Sequence, residues 1–211
     1  MSNGSTDRSG GQASEPSDGS TRRRFLRGTT ALGLAAAGVG AGTSAASAQW
    51  WGSSGVETFE LSGFGAAGEL PNTDESELVV YLHGAGLSDS AGDHGQSLQD
   101  GLADAGYETT VVAGVYETPS VGVGEGTSEA AETLAGLIEE YEDGGGTARI
   151  VGYSLGGIVT MQTLVALGNG YVIDPAATFG TGMPDSTVCE GGTYHDGVTA
   201  NAAEFRVYYS A

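Results

Sequence analysis

The sequence predicts an α/β fold in which a mostly parallel sheet is covered by helices on both faces. Three observations predict it. From residue 56 onward, short strand-like runs alternate with helix-like segments. Residues 77–84 (ELVVYLHG) form a nearly unbroken apolar run that ends in glycine, as a strand buried on both faces does. Residues 127–141 carry one apolar stripe of helical period. Such alternation builds βαβ units, whose helices cover both faces of the sheet.

The first half of this region contains three predicted strands and one helix. Short runs of β-branched, aromatic and other apolar residues predict strands over residues 56–61, 77–84 and 107–115. Between the second and third strands, residues 93–105 space their apolar side chains three or four positions apart, which predicts a helix.

The second half contains two predicted helices and three strands. The stripe over residues 127–141 is the first helix, and residues 155–167 are apolar nearly all round, which predicts a buried second helix. Runs rich in β-branched and aromatic residues predict strands over residues 148–153, 176–180 and 204–209.

The chain is strongly acidic. It has 27 acidic and 7 basic residues, no lysine and a formal net charge of −20. Five of the seven arginines precede residue 30, and after residue 48 only Arg149 and Arg206 remain. Nucleic acid and anionic membrane surfaces are therefore poor partners for the main body of the chain. We expect a halophilic protein whose self-repulsion is screened by salt, the alternative being an ordinary acidic secreted protein.

The amino-terminal segment predicts export. Residues 1–20 are polar and rich in glycine and serine, which is typical of a disordered start. Residues 21–27 (TRRRFLR) resemble the twin-arginine signal at every position, and a weakly apolar run then leads to Ala46-Ser47-Ala48, an A-x-A cleavage pattern. We expect residues 1–48 to be this start plus a signal peptide, with cleavage between Ala48 and Gln49. The expected partner is the twin-arginine export machinery, and the product is secreted; an uncleaved anchor is the alternative.

A serine at the junction of a predicted strand and helix is the candidate nucleophile. Gly152-Tyr153-Ser154-Leu155-Gly156 matches G-x-S-x-G, in which a strand turns sharply into a helix and the serine at the tip adopts a strained backbone conformation. The residues two before and two after the serine must be small for the turn to close, and here they are Gly152 and Gly156.

With the run YLHGAG around His83-Gly84, the chain resembles the α/β-hydrolase family over residues 77–209, and most of all its small secreted lipases and esterases. The resemblance implies a three-layer sandwich and hydrolysis of a small-molecule ester or lipid through an acyl-enzyme on Ser154. It also implies an oxyanion hole made of the amides of Leu155 and Ala85. Residues 49–211 would then be an incomplete α/β-hydrolase-like domain.

The family resemblance implies a catalytic acid and then a histidine after the strand that follows residues 176–180. Here that strand is residues 204–209, and the given sequence ends at Ala211. One explanation is an incomplete domain that lacks the last strand or strands. A second is that the loop before residue 204 supplies substitutes, with His195 as base and Asp185 or Asp196 as acid. A third is a non-catalytic binding module that keeps the serine turn.

The other two histidines are weaker candidates for the base. His83 belongs to the His-Gly dipeptide, to which the family resemblance assigns loop structure, and His94 begins the first predicted helix, on the surface.

No cofactor and no metal are expected. The glycines at 122, 124 and 126 do not directly follow a strand, and the chain has no lysine for a phosphate-binding loop. No group of His, Cys and Asp residues has metal-binding spacing. Cys189 is the only cysteine, which excludes an intrachain disulfide. The sequence alone sets neither the acyl length of the substrate nor the oligomeric state.

Overall fold

The computed structural model describes Met1 and residues 55–61, 70, 76–118 and 125–209. The helices and strands all belong to one compact unit. Apart from Met1, the predicted disordered start and signal peptide lie outside the described residues. Within the described part of the chain, no helix has the length and apolar character needed to cross a membrane.

Six strands form one sheet in which every neighbouring pair is parallel, in the order β1-β3-β2-β4-β5-β6. The strands are β1 (Thr58–Glu60), β2 (Glu77–Leu82), β3 (Thr110–Val115), β4 (Thr147–Tyr153), β5 (Ala176–Phe179) and β6 (Phe205–Tyr208). The helices are α1 (Ala91–Asp104), α2 (Glu125–Asp143), α3 (Leu155–Ala166) and α4 (His195–Asn201). Two short 3₁₀-helices occupy Ser88–Ser90 and Asp185–Thr187.

Helices pack on both faces of the sheet. α1 packs on β3 and β2 from one side, whereas α2 and α3 pack together on the other, with α4 against α3. The strand β2 shows why this works: Leu78, Val80 and Leu82 belong to the larger core under α2 and α3, while Val79 and Tyr81 belong to the smaller core under α1. Alternate side chains of a strand face opposite sides, so an unbroken apolar run serves two cores.

The predicted α/β class is confirmed, and the arrangement is consistent with a three-layer sandwich. All nine predicted elements are present, most of them shorter than predicted at one or both ends, while α2 extends further at both ends and begins at Glu125, two residues before its predicted start. The two 3₁₀-helices and α4 were not predicted.

The helix α4 depends on tertiary contacts. Its last residue, Asn201, donates from Nδ2 to the carbonyl oxygens of Leu164 (2.7 Å) and Leu167 (3.1 Å), where α3 ends. At Gly197 a Cβ would lie 2.6 Å from the Cα of Val165, so the two helices touch through backbone there. A seven-residue segment with a central glycine has little helix propensity of its own. Its sequence therefore carried no helix signal.

Candidate active site

Ser154 lies on a sharp bend between β4 and α3. Its backbone angles are φ 53° and ψ −113°, and among the described residues it is the only one other than glycine with a positive φ. The Ser154 amide donates to the carbonyl oxygen of Phe179 (2.8 Å), and its own carbonyl accepts from the amide of Gly157 (3.0 Å). The side chain is partly exposed. The bend is therefore held on both sides, and the partly exposed serine lies at the carboxyl edge of the sheet.

The two glycines that flank the bend have no room for a side chain. A Cβ at Gly152 would lie 2.3 Å from the carbonyl oxygen of Gly156. A Cβ at Gly156 would lie 2.1 Å from the carbonyl oxygen of Leu82, at the end of the neighbouring strand β2. Both obstacles are backbone atoms, which cannot rotate away. The small residues that the motif demands thus let α3 begin directly against the end of β2.

The loop after β2 reaches Ser154. Because β2 and β4 are neighbours with Leu82 opposite Gly152, both strands end at the same level of the sheet. A Cβ at Gly84 would lie 3.2 Å from the Cβ of Ser154 and 3.1 Å from Cδ1 of Tyr153. A side chain at position 84 would make unusually tight contacts here, so glycine favours this close approach of the loop to the serine, and Ala85 is the next residue.

The amides of Leu155 and Ala85 belong to the two segments that meet at the serine: Leu155 follows it in the chain, and Ala85 follows Gly84 of the loop. Leu155 is the first residue of α3, and the first amides of a helix have no acceptor within it. In the loop, the amide of Leu87 donates to the carbonyl of Gly84 (3.3 Å), and Gly86 has a φ of 70°. This is a tight turn that leaves the amide of Ala85 outside its hydrogen bond. Among the described residues, neither amide has a backbone acceptor.

His83 holds this loop in place. It is fully buried, its Nδ1 lies 2.8 Å from the carbonyl oxygen of Gly84, and the amide of Tyr116 donates to its Nε2 (3.4 Å). The rings of His83 and Tyr116 are stacked with centroids 4.3 Å apart, and the Tyr116 hydroxyl donates to the His83 carbonyl. This network assigns the proton to Nδ1, and burial lowers the pKa of His83. Both ring nitrogens are occupied, so His83 has no free nitrogen for Ser154.

His94 lies in the first turn of α1, half-buried. Its Nδ1 is 3.5 Å from the hydroxyl of Tyr81, and the two rings meet edge to face. Burial raises the pKa of Tyr81 to about 12, so this tyrosine remains neutral at ordinary pH. The described side-chain contacts of His94 are therefore with Tyr81 of β2.

His195 and Asp185 lie in the segment between β5 and β6. His195 is the first residue of α4, and its Nδ1 is 3.1 Å from Oδ1 of the fully exposed Asp196. Asp185 begins a 3₁₀-helix in the loop after β5.

The start of α4 lies beside the distal half of α3. The residue before His195, Tyr194, lines an open pocket of about 250 Å³ together with Gln162 and Val165. These two residues follow Ser154 by eight and eleven positions, which corresponds to roughly 12–16 Å along the helix at about 1.5 Å per residue. No described contact joins His195 to Ser154.

Three further residues support the site and were not predicted. Tyr116 fixes His83, as described above, and the Oγ1 of Thr118 accepts from the amide of Gly86 (3.2 Å). Thr181, after β5, packs on the first turn of α3: a Cβ at Gly157 would lie 1.9 Å from its Oγ1, a buried atom without a hydrogen-bond partner in the described structure. All three follow the carboxyl end of a strand, which is the sequence signal that could have indicated them.

Among the described residues, no group of three or more His, Cys, Asp or Glu side chains could hold a metal ion. No protein-family model matches the chain, and no curated protein matches it either. The fold and the site define an α/β protein with an all-parallel sheet and a strained, partly exposed serine at the carboxyl edge of that sheet. Sheets of this kind bind their ligands at that edge.

Proposed function

We propose that this protein is a serine hydrolase of the α/β-hydrolase type. More particularly, we propose that it cleaves carboxylic esters through an acyl-enzyme on Ser154. The observation that carries the proposal is the backbone of Ser154. Its φ is 53°, and no other described residue except glycine has a positive φ. Such a conformation costs on the order of 1–3 kcal/mol and persists where the surrounding structure imposes it, most often at functional sites.

The chemistry follows from the groups around the serine. The Oγ of Ser154 attacks the ester carbonyl carbon, the carbonyl oxygen becomes an oxyanion, and the alcohol leaves with a proton as the acyl group remains on Oγ. Water then cleaves the acyl-enzyme and releases the carboxylic acid. The amides of Leu155 and Ala85 are the proposed oxyanion donors, since Leu155 follows the serine, Ala85 follows Gly84, which lies close to it, and both amides lack backbone acceptors among the described residues.

An activated serine is tested by covalent labelling with a fluorophosphonate, which reacts with the nucleophile of serine hydrolases. The wild-type chain, in high salt, is expected to be labelled, and Ser154→Ala is expected to abolish the labelling. Ser97→Ala is the matched control, because Ser97 lies on the exposed side of α1 and its hydroxyl donates to the Asp93 carbonyl. Turnover of short-chain and long-chain p-nitrophenyl esters then defines the acyl length. Labelling that survives Ser154→Ala contradicts the proposal.

One observation favours a second candidate, a non-catalytic binding module. In the described part of the chain no histidine contacts Ser154, and a serine without a base is a weak nucleophile. A chain that is folded by circular dichroism yet remains unlabelled by the fluorophosphonate would favour this second function.

We further propose that the protein is exported by the twin-arginine route. The support is the match of residues 21–27 to the signal pattern and the small residues before Gln49. Replacing Arg22 and Arg23 by lysine is expected to retain the protein in the cell. Mass spectrometry of the exported wild type is expected to find a chain that begins at Gln49, and any other start contradicts the predicted cleavage.

A further inference from the structure

Half of one face of the sheet is not covered by any described helix. On the face that carries α1, this helix packs mainly on β3 and β2. The helix α3 packs on β4 and β5 from the opposite face. All-parallel sheets occur almost only with both faces covered. Apart from Val151 of β4, which packs against the core under α1, the side chains of β4, β5 and β6 on this side are not covered by a helix in the described part of the chain.

Three aromatic residues dominate this surface. Tyr153, Phe179 and Tyr208 are in register across β4, β5 and β6, and their exposed fractions are 44%, 38% and 43%. The rings of Phe179 and Tyr208 are stacked, with centroids 4.6 Å apart and planes at 7°. We define the aromatic face as Tyr153, Phe179, Arg206 and Tyr208. Neighbouring exposed aromatic side chains of this kind make the face a candidate interaction site.

The aromatic face also differs in charge from the rest of the molecule. The strands β4, β5 and β6 contain no aspartate or glutamate, and they hold both arginines that follow residue 48. Arg206 forms an ion pair with Glu204 (2.8 Å), which leaves the edge of this face locally neutral. In contrast, α1 and α2 carry carboxylates along their length and no basic residue other than His94. Repulsion between like charges is therefore weakest at the aromatic face.

We propose that the aromatic face binds the aromatic face of a second copy of this chain and forms a two-fold symmetric dimer. Among the described residues after residue 55, the other exposed large hydrophobic residues are Tyr107, Val165, Val172 and Tyr209, of which only Tyr209 adjoins the aromatic face in sequence. A two-fold contact places the same neutral, aromatic patch on both partners. Two sheets packed face to face lie about 10 Å apart, the distance that interdigitating side chains fill.

The charge of the chain makes this dimer dependent on salt. Two copies that each carry a formal charge of −20 repel one another at low ionic strength. Salt screens that repulsion and strengthens burial of apolar surface. The dissociation constant is therefore expected to fall as the salt concentration rises, the reverse of an interface held by ion pairs. This proposal does not depend on hydrolase activity.

The test is sedimentation velocity of the full chain at low and high salt. The wild type is expected to be a dimer at high salt, and Phe179→Ser with Tyr208→Ser is expected to raise the dissociation constant at least tenfold. Val172→Ser is the matched control, because Val172 is as exposed (44%) but lies outside the aromatic face. Circular dichroism establishes that each variant is folded.

A second variant tests the proposal independently, in case the first variant does not fold. Arg206→Glu adds negative charge at an exposed position, and it is expected to shift the dimer to monomer without loss of secondary structure. A wild type that is monomeric at every salt concentration overturns the proposal. So does a dimer that both sets of substitutions leave unchanged, since its interface would then lie elsewhere.

Discussion

Gly156 lies directly against the carbonyl of Leu82, so that a Cβ at position 156 would be 2.1 Å from that oxygen. Because of this close contact, α3 begins directly against the end of β2, and the loop at Gly84 lies next to Ser154. The arrangement of the candidate site depends on it.

Gly156→Ala is therefore expected to destabilise the protein. The new methyl group meets backbone atoms of β2, and relief requires that α3 or β2 shift, which costs about 1–3 kcal/mol or more. Chemical denaturation measures the free energy of unfolding. Gly136→Ala is the matched control, because position 136 in α2 has open space around it, and alanine there is expected to stabilise the helix by several tenths of a kcal/mol. Equal effects of the two substitutions would contradict the packing argument.

Ser154→Gly is expected to stabilise the fold while it abolishes fluorophosphonate labelling. Glycine adopts a φ of 53° without the steric cost that serine meets, and the relieved strain of about 1–3 kcal/mol exceeds the roughly 0.5–1 kcal/mol entropic cost of glycine. Ser154→Ala, which keeps the strain, serves as control. If both variants unfold at the same denaturant concentration, the bend at residue 154 is not strained.

The protein is expected to become less stable as the pH is lowered, because His83 takes up a proton more readily in the unfolded state. Burial lowers the pKa of His83 in the folded state, so the unfolded chain binds the extra proton first. The contribution of His83 is complete above its unfolded pKa of about 6.5 and is lost as pH falls towards its folded pKa. His83→Gln is expected to remove this dependence and to lower stability at all pH values, since buried hydrogen bonds are lost.

The measurement is urea denaturation in steps from neutral to mildly acidic pH. His195→Ala is the control for His83→Gln, because His195 is only partly buried, and it is expected to keep the wild-type slope. A slope that His83→Gln leaves unchanged would assign the pH dependence to another group.

Arg149 is expected to protect the fold against acid through Glu77. Its Nη2 lies 2.9 Å from Oε2 of Glu77, and this hydrogen bond, with that of Tyr107, lowers the pKa of the carboxyl group. The stabilisation is present above the unfolded pKa of about 4.3 and is lost as pH falls through the folded pKa. Arg149→Gln is expected to move the acid unfolding midpoint to higher pH. Arg206→Gln, which breaks an exposed ion pair at the surface, is expected to leave the midpoint unchanged.

Labelling of Ser154 is expected to be independent of His195. The structure places His195 beside Asp196 at the start of α4, next to the distal half of α3, without a described contact to the serine. His195→Ala is therefore expected to change the rate of fluorophosphonate labelling by less than about twofold, whereas loss of a true base costs several powers of ten. A loss of that size would show that the segment between β5 and β6 moves His195 to the serine.

Most elements of the fold were predictable because their signals are local. The period of apolar residues in α1, α2 and α3 and the apolar runs of the strands arise from neighbours a few positions apart in the chain. The G-x-S-x-G pattern indicated the bend for the same reason, since the small residues it needs lie within five positions. The roles of Tyr116 and Thr181 could not be predicted in this way, because each acts on a partner more than 20 positions distant.

By itself, the sequence determined the α/β class, the order of the strands and helices along the chain, the acidic character of its surface and the position of the serine between a strand and a helix. The tertiary structure alone decided that β2 and β4 are neighbours, so that Gly84 meets Ser154 across 70 positions of sequence. It also decided that α4 is a helix and that one face of β4, β5 and β6 carries no helix among the described residues. The physical reason is that the period of apolar residues shows only which side of an element is buried. Which strands are neighbours in the sheet, and which faces of the sheet are covered by helices, depend on contacts between distant segments.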